Sequence, residues 1–246
     1  MYNIMSNLLA DRKGDIIFSC FGMWHIIYIA LIFSVIVFTI HLLKNKSAQT
    51  KQKAILYSIN TAFSLYIADF FLMPFAYGEI DIEKLPFHIC TAMCVMCFLS
   101  RHNKFFSKYK TQFAVLGLVS NIIYVIYPAG IGWYAIHPLS YRVVQTLLYH
   151  GIMTAYGIFT LTYEKAEFKP KKDLAVIITM VLWALLGNTL YNNNARFYNW
   201  SFVVRDPFYI LPENIAPFVM PFVIVAIMLF GETIIYKLAD KMKNRS

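Results

Sequence analysis

The sequence predicts an all-α fold, a polytopic membrane bundle of about seven transmembrane helices with its N-terminus outside and its C-terminus inside. Three observations lead to this class. The chain of 246 residues is 59% hydrophobic and 14% charged, whereas a soluble domain is about half apolar and about a quarter charged. The apolar residues fall in runs long enough to cross a bilayer. The Lys and Arg residues fall in short clusters between those runs.

The apolar runs predict seven helices within a single helical domain that covers residues 1–246. A span needs roughly 20 mostly apolar residues, and the third run is the weakest, because its apolar part, 87–99, rises only about 20 Å as a helix. We expect it either to recruit the polar residues 100–103 or to lie in a thinned or re-entrant region. The predicted spans are 20–43, 54–77, 87–103, 111–127, 143–163, 174–191 and 215–236.

The positions of Lys and Arg predict the orientation, because cytoplasmic segments of membrane proteins carry an excess of both. With the N-terminus outside, the inside segments hold sixteen of the 22 basic residues. Topology thus explains the net charge of +9, and we expect no nucleic-acid partner. The first run lacks a small-residue cleavage pattern, so we interpret it as an anchor in the cell membrane. The four inside clusters are Lys44, Lys46, Lys51 and Lys53; Arg101, Lys104, Lys108 and Lys110; Lys165, Lys169, Lys171 and Lys172; and Lys237, Lys241, Lys243 and Arg245.

Ionisable side chains at membrane depth are costly and often functional, and four of them fall in the outer half of the predicted bundle. His25 is either a packing residue that hydrogen-bonds a neighbouring helix or part of a site. His150 lies in the middle of the fifth run beside Gly151, which allows close approach of a helix or a ligand. Asp69 either orients a histidine, as in a catalytic triad, or pairs with one structurally. His88 begins the third run.

Three cysteines share one face of the third predicted helix, at Cys90, Cys94 and Cys97. The first and the last are about 10 Å apart along the axis, too far for one zinc ion, so we predict no metal site and no cofactor. Cys94 and Cys97 are interpreted as small buried hydrophobes. Cys90 differs, because a helix N-terminus and the neighbouring His88 both favour a thiolate, and a thiol beside a base is the minimum for acyl transfer. By helical rise His150 lies level with Cys94, which leaves the choice of nucleophile open.

Two further features carry expectations about the ends of the bundle. Glu232 lies close to Lys237 in the sequence, which predicts an ion pair at the inner interface. The segment 192–214 is rich in aromatic residues, which suit a membrane interface, so we expect it to lie against the headgroups as a lid or collar.

Residues 85–90, Leu-Pro-Phe-His-Ile-Cys, resemble the Leu-Pro-x-His-x-Cys signature of the YwaF family of bacterial integral membrane proteins, which the eukaryotic transmembrane protein 164 family shares. Two other stretches agree in order and spacing. His137 and Pro138, followed by 147–151, resemble the family's helix with its embedded histidine. Residues 199–207 are similar to an Asn-Tyr-x-Phe segment that ends in proline, with Trp200 in place of the tyrosine.

This resemblance implies a multi-helix membrane fold and, for the eukaryotic branch, a phospholipid acyltransferase. That branch uses a cysteine and a histidine, which fall here on Cys90 and His150, while His88 belongs to the motif without an agreed role. Asp69 comes only from the sequence itself. The expected reaction is attack of Cys90 on a phospholipid ester, with His150 as base and a lysophospholipid hydroxyl as acyl acceptor. Water as acceptor would make the site lipase-like.

Two alternatives to an enzyme stay open. The same polar residues occur in membrane lipid or small-solute binders and in transporters, where they mark substrate or proton pathways. Neither an inverted repeat nor matching broken helices are visible, which disfavours a transporter. A third reading is an assembly factor whose aromatic residues only pack. The sequence does not predict an oligomeric state.

Overall fold

The computed structural model describes residues 9, 11, 15–78, 81–132, 135–164, 166–193 and 197–243. These residues form α-helices, short 3₁₀ turns and loops, without a β-strand. A four-residue helical turn, Ala129–Gly132, lies between the fourth and fifth helices. The predicted all-α class and its seven helices are confirmed for this part of the chain. The helices are α1 Met23–Leu43, α2 Ala48–Tyr77, α3 Ile89–His102, α4 Lys110–Ile126, α5 Tyr141–Tyr163, α6 Pro170–Tyr191 and α7 Ala216–Lys243.

Five of the described helical segments are long and apolar enough to cross a membrane, which confirms a membrane protein. α3 is apolar but has only 14 residues, as the third run predicted. α5 has 23 residues but is not one of the five segments. Polar side chains such as Gln145, Thr154 and Thr160, all buried, lower its mean hydropathy. The five segments are Met23–Leu43, Ala48–Phe75, Phe106–Gly132, Pro170–Tyr191 and Ala216–Lys241.

Helix ends differ from the predicted spans where polar residues extend a helix beyond its apolar run. α2 starts several residues early because the Ser47 hydroxyl accepts the Thr50 N–H at 3.2 Å, a standard N-cap interaction. α6 starts at Pro170, which suits the first helical turn because it lacks an N–H. The Asp173 carboxylate there accepts the Lys169 N–H at 2.7 Å. Hydropathy alone does not register such caps.

The chain forms two compact units, each made of two stretches of sequence. Unit 1 consists of Met1–Lys84 and Asn121–Phe159, and unit 2 consists of Leu85–Ser120 and Thr160–Ser246. Unit 1 therefore contains α1, α2 and most of α5. Unit 2 contains α3, α6, α7 and the first part of α4. The predicted single domain stays a prediction.

Unit 1 has an apolar core between the segment before α1 and the start of α5. The Phe18 N–H donates to the Ile136 carbonyl at 2.7 Å, which fixes this extended segment beside the loop. α5 approaches α1 closely at Gly151, where a Cβ atom would lie 3.0 Å from Ile32 Cγ1. The buried core residues are Phe18, Ile131, Ile136, Val143 and Leu147.

Glycines allow close helix contacts in unit 2 as well. At Gly187 of α6, a Cβ atom would lie 2.3 Å from Cγ of Phe87, the residue before His88. At Gly231 of α7, it would lie 2.7 Å from Val119 Cγ1 on α4. The first contact seats the segment that leads into α3 directly on the α6 backbone.

A buried ion cluster joins the end of α3 to the end of α5 in unit 2. Glu164 Oε1 accepts a hydrogen bond from Arg101, and Glu164 Oε2 lies 3.1 Å from Lys110 Nζ. Arg101 also donates to the Thr160 hydroxyl at 3.1 Å. Burial alone would raise the pKa of Glu164, but Arg101 and Lys110 hold that pKa below its ordinary value. The carboxylate is therefore charged and paired at neutral pH.

We expect Gly187→Ala to lower the free energy of unfolding by about 2 kcal/mol, because overpacking forces Phe87 out of its position. Thermal unfolding in detergent micelles, followed by circular dichroism, measures the change. Phe87→Leu should recover part of the loss in the double variant. A single variant as stable as the wild type would contradict the close contact.

Glu164→Gln should cost about 3 kcal/mol, because it leaves Arg101 buried without its carboxylate. Glu167→Gln is the matched control: the Glu167 side chain is 54% exposed and pairs with Lys169 at 3.6 Å, so the loss should stay below about 1 kcal/mol.

The lowered pKa of Glu164 also predicts a pH effect. Its stabilisation is complete above the ordinary glutamate pKa of about 4.3 and is lost as the pH falls through the lower pKa of the folded state. Unfolding curves recorded across that acidic range should show this loss in the wild type and in Glu167→Gln. Equal slopes in Glu164→Gln and the wild type would contradict the assignment.

Candidate functional site

His150 is held in one orientation within unit 1. It lies in α5 with 4% of its surface exposed, and its Nδ1 is 2.6 Å from Asn121 Oδ1. Its ring stacks on Tyr124 with a centroid distance of 3.8 Å and an interplanar angle of 15°. An amide oxygen only accepts hydrogen bonds, so Nδ1 carries the proton, and the lone pair of the neutral ring lies on Nε2. This is the tautomer and the fixed orientation that a general base requires.

Asn121 is a residue that the sequence analysis missed. It is fully buried in α4. Its amide orients His150, a role that we expected the carboxylate of Asp69 to have. The available signal was an amide in the middle of the apolar run 111–127, since such a group must find a hydrogen bond inside the protein. The sequence did not show which residue would provide it.

Asp69 has partners other than a histidine. Its Oδ2 lies 2.7 Å from Lys84 Nζ, and the Tyr141 hydroxyl hydrogen-bonds the same carboxylate. The neighbouring Tyr66 hydroxyl donates to the Lys84 carbonyl at 2.9 Å. These partners of Asp69 are a lysine and a tyrosine rather than the histidine that both alternatives expected. A catalytic role for Asp69 stays a prediction.

His25 uses both ring nitrogens to join elements of unit 1. Its Nδ1 accepts the Phe21 N–H at 2.9 Å, and its Nε2 donates to the Val125 carbonyl at 2.9 Å. The side chain is fully buried. These contacts are those of the hydrogen-bonded packing residue that the sequence analysis proposed as one of two readings.

His88 and Ser201 bind each other at the start of α3 in unit 2. His88 is the N-cap residue of this helix, and its Nδ1 accepts the Ser201 N–H at 3.0 Å. In return, the Ser201 hydroxyl accepts the Ile89 N–H at 2.8 Å. Ser201 has a φ of 56°, a left-handed conformation that is costly for a residue other than glycine. This reciprocal pair holds the loop against the helix N-terminus.

Cys90 lies in the first turn of α3, one residue beyond Ile89. It is half-buried. Cys94 and Cys97 are fully buried, as the interpretation as small hydrophobes requires. All four cysteines belong to the described residues, and none of them forms a disulfide.

Trp200 fixes the loop that carries Ser201. Its N–H donates to Asn188 Oδ1 at 3.1 Å, and its carbonyl accepts from Asn188 Nδ2 at 3.2 Å. The indole is 1% exposed and lies between Phe87 and Tyr198, with centroid distances of 5.2 and 4.7 Å. Trp200 is therefore a core residue of unit 2 and not an exposed ring of the segment, whose position at the membrane interface stays a prediction.

Two polar side chains satisfy the backbone of the same loop. Asn199 donates to the Arg205 carbonyl at 2.8 Å, and Asp206 accepts the backbone N–H groups of Phe208, Ile210 and Leu211 at 2.8 to 3.1 Å. Removal from water would raise the pKa of Asp206, but these N–H groups hold that pKa below its ordinary value. The aromatic residues that follow are exposed, with 64% for Phe208 and 69% for Tyr209. A lid against headgroups stays a prediction for this part.

Glu232 is the clearest departure from the predicted contacts. It is fully buried, and neither carboxylate oxygen has a hydrogen-bond partner. The predicted ion pair with Lys237 is therefore wrong. The two residues are five positions apart, and α7 continues through both, so Lys237 does not reach back to the buried carboxylate.

Of the four predicted site residues, His88 and Cys90 lie together at the start of α3 in unit 2. Asp69 and His150 belong to unit 1, where each has partners of its own. The backbone N–H of Ser201 and the side chain of Asn121 orient the two histidines, and the sequence analysis assigned a role to neither residue. Among the described residues, no group of three or more His, Cys, Asp or Glu side chains is arranged to hold a metal ion.

Comparison with known proteins places this arrangement in a family. The model of the TMEM164 family matches residues 20–233, which include all seven predicted spans except the last residues of the seventh. No curated protein and no solved structure matches the chain. The relation to the transmembrane protein 164 family is thus confirmed, while the closer assignment to the YwaF family stays a prediction. The chain is a membrane protein that belongs to the TMEM164 family.

Proposed function

We propose that this protein is an integral membrane phospholipid acyltransferase or transacylase in which Cys90 is the nucleophile and His150 the general base. One observation carries the proposal: His150 Nδ1 is 2.6 Å from Asn121 Oδ1, which puts the basic lone pair on Nε2. A buried histidine oriented by an amide is a recurrent partner of a catalytic cysteine. The TMEM164 relation supports the same residues through the motifs that the chain shares with that family.

The proposed reaction has two steps. His150 takes the proton of Cys90, and the thiolate attacks the carbonyl carbon of a phospholipid ester. The carbon–oxygen bond breaks, the lysophospholipid leaves with the proton from His150, and a thioester remains on Cys90. A hydroxyl group of a second lysophospholipid then gives its proton to His150 and attacks the thioester, which restores the thiol.

The start of α3 offers support for the negative charge in both steps. Cys90 lies in the first turn of α3, and backbone donors at a helix N-terminus favour an anion. We assign no proton transfer to His88. Its Nδ1 accepts the backbone N–H of Ser201, so in the proposal it positions the N-terminal end of α3. Asp69, with its ion pair to Lys84, is assigned no step.

A non-enzymatic lipid or small-solute binder or transporter is the second candidate. The buried carboxyl group of Glu232, without a hydrogen-bond partner, favours it, since such groups mark substrate and proton pathways in membranes. A covalent acyl intermediate distinguishes the two candidates, because only the enzyme forms one.

Intact mass spectrometry of the purified protein, incubated with phospholipid, tests the enzyme. We expect an acyl adduct on Cys90 that is absent in Cys90→Ser and in His150→Ala. Cys94→Ser is the matched control, because it removes a cysteine of the same helix that is fully buried, and it should keep the adduct. Asn121→Leu should slow adduct formation, because His150 loses the partner that fixes its tautomer.

The products of the same incubation separate the outcomes. Lysophospholipid together with a newly acylated acceptor indicates a transacylase, whereas free fatty acid indicates a lipase-like hydrolase. Neither adduct nor lipid turnover in the wild type would rule out the enzyme and favour the binder. An adduct that persists in Cys90→Ser would exclude this nucleophile.

We also propose that the N-terminus lies outside the cell membrane and the C-terminus inside, as the Lys and Arg clusters suggest. Single cysteines at Lys46 and Tyr209, both exposed, test this in a variant whose four natural cysteines are alanine. A membrane-impermeant maleimide should label Tyr209→Cys in intact cells, and Lys46→Cys only after permeabilisation. The reverse pattern would invert the orientation.

A further inference from the structure

Glu232 has an environment that the proposed acyl transfer does not explain. The side chain lies in α7 with no exposed surface, and both carboxylate oxygens are buried without a hydrogen-bond partner. The preceding Gly231 brings α7 so close to α4 that a Cβ atom would lie 2.7 Å from Val119 Cγ1. Close helix packing therefore surrounds an acidic group that lies inside unit 2.

The two protonation states of this carboxyl group differ greatly in cost. An ionised carboxylate that is buried without partners loses its hydration and gains no compensating interaction. The neutral acid keeps only the smaller cost of a buried polar group. Burial without partners thus favours the state in which Glu232 holds a proton.

A second acid nearby is in the opposite situation. Asp173 of α6 accepts the Tyr236 hydroxyl at 3.0 Å and the Lys169 N–H at 2.7 Å, and the Gln112 side chain hydrogen-bonds it as well. These donors satisfy a negative charge on Asp173. A negative charge on Asp173 would repel a second one on Glu232, which favours the neutral form of Glu232. Asp173 thus has several hydrogen-bond donors, whereas Glu232 has none.

Among the described residues, two titratable side chains interact with Glu232. α6 contributes Asp173, and α7 itself contributes Tyr236, which lies one helical turn after Glu232 on the same face. α4 contributes the uncharged side chains Val119 and Gln112. Gln112 hydrogen-bonds Tyr236 in addition to Asp173, so these polar groups form one connected network in unit 2.

The network leads to a polar cavity. A cavity of about 270 Å³ is lined by Gln112 together with Thr111, Lys108, Lys110 and Lys169. Gln112 is 3% exposed and thus connects the cavity to the buried acids. The order of groups is cavity, Gln112, Asp173, Tyr236 and Glu232, of which the last two lie one helical turn apart without a hydrogen bond between them.

We propose that Glu232 is a proton-binding site that exchanges its proton with this cavity through Tyr236, Asp173 and Gln112. The ligand is a proton from water, which adds to one carboxylate oxygen and leaves by the same route. The site needs no acyl transfer, and it stands whether or not Cys90 is a nucleophile. It gives this membrane protein a group that can take up and release protons inside the bundle.

Infrared spectroscopy of the protein in lipid membranes tests the site, because a protonated carboxyl group has a carbonyl band that a carboxylate lacks. At neutral pH we expect such a band in the wild type and its loss in Glu232→Gln. Glu213→Gln is the matched control, since the Glu213 side chain is 76% exposed, and it should keep the band. Glu232→Met offers a second variant without the carboxyl group, should the first fail to fold.

Exchange into heavy water tests the route. The carbonyl band of Glu232 should shift in the wild type, and Gln112→Leu should slow this shift severalfold. A band that is unchanged in Glu232→Gln and Glu232→Met, or that is absent from the wild type, would overturn the proton site. Equal exchange rates in the wild type and Gln112→Leu would overturn the route through Gln112.

Discussion

Two hydrogen bonds between Asn188 and the backbone of Trp200 hold the segment on which the helix end in unit 2 depends. A non-helical segment has backbone groups that a bilayer does not hydrate, so the protein itself must satisfy them. Asn188 does so from α6, and Asn199 and Asp206 do so from within the loop. The loop then places Ser201 at the start of α3, where it forms hydrogen bonds with His88 and Ile89.

The buried acids follow from the same constraint. Asp69 pairs with Lys84, and Glu164 pairs with Arg101, so each of these charges has a counter-charge. His150 is oriented by the amide of Asn121, which fixes the ring without adding a second buried charge to be compensated. Glu232 has neither a counter-charge nor a hydrogen-bond partner, which sets it apart from the other buried acids of the described chain.

Backbone strain is concentrated beside the candidate nucleophile. Ser201 and Phe202 have φ values of 56° and 57°, a region that costs free energy for residues with a Cβ atom. The strain is offset by Trp200, whose indole is buried among aromatic rings, and by the hydrogen bonds that Ser201 makes with the start of α3. Such strain persists only where surrounding contacts determine the conformation, and here they position Cys90.

The sequence by itself determined the membrane class and the seven helices, because bilayer thickness sets the length of an apolar run and its periodicity needs no distant partner. It also singled out Cys90 and His150. Only the tertiary structure decided their partners, since Asn121 lies 29 residues from His150 and Ser201 lies 113 residues from His88. The failed pair of Glu232 with Lys237 has the same cause: proximity in sequence does not fix which side a buried side chain faces, and helix packing does.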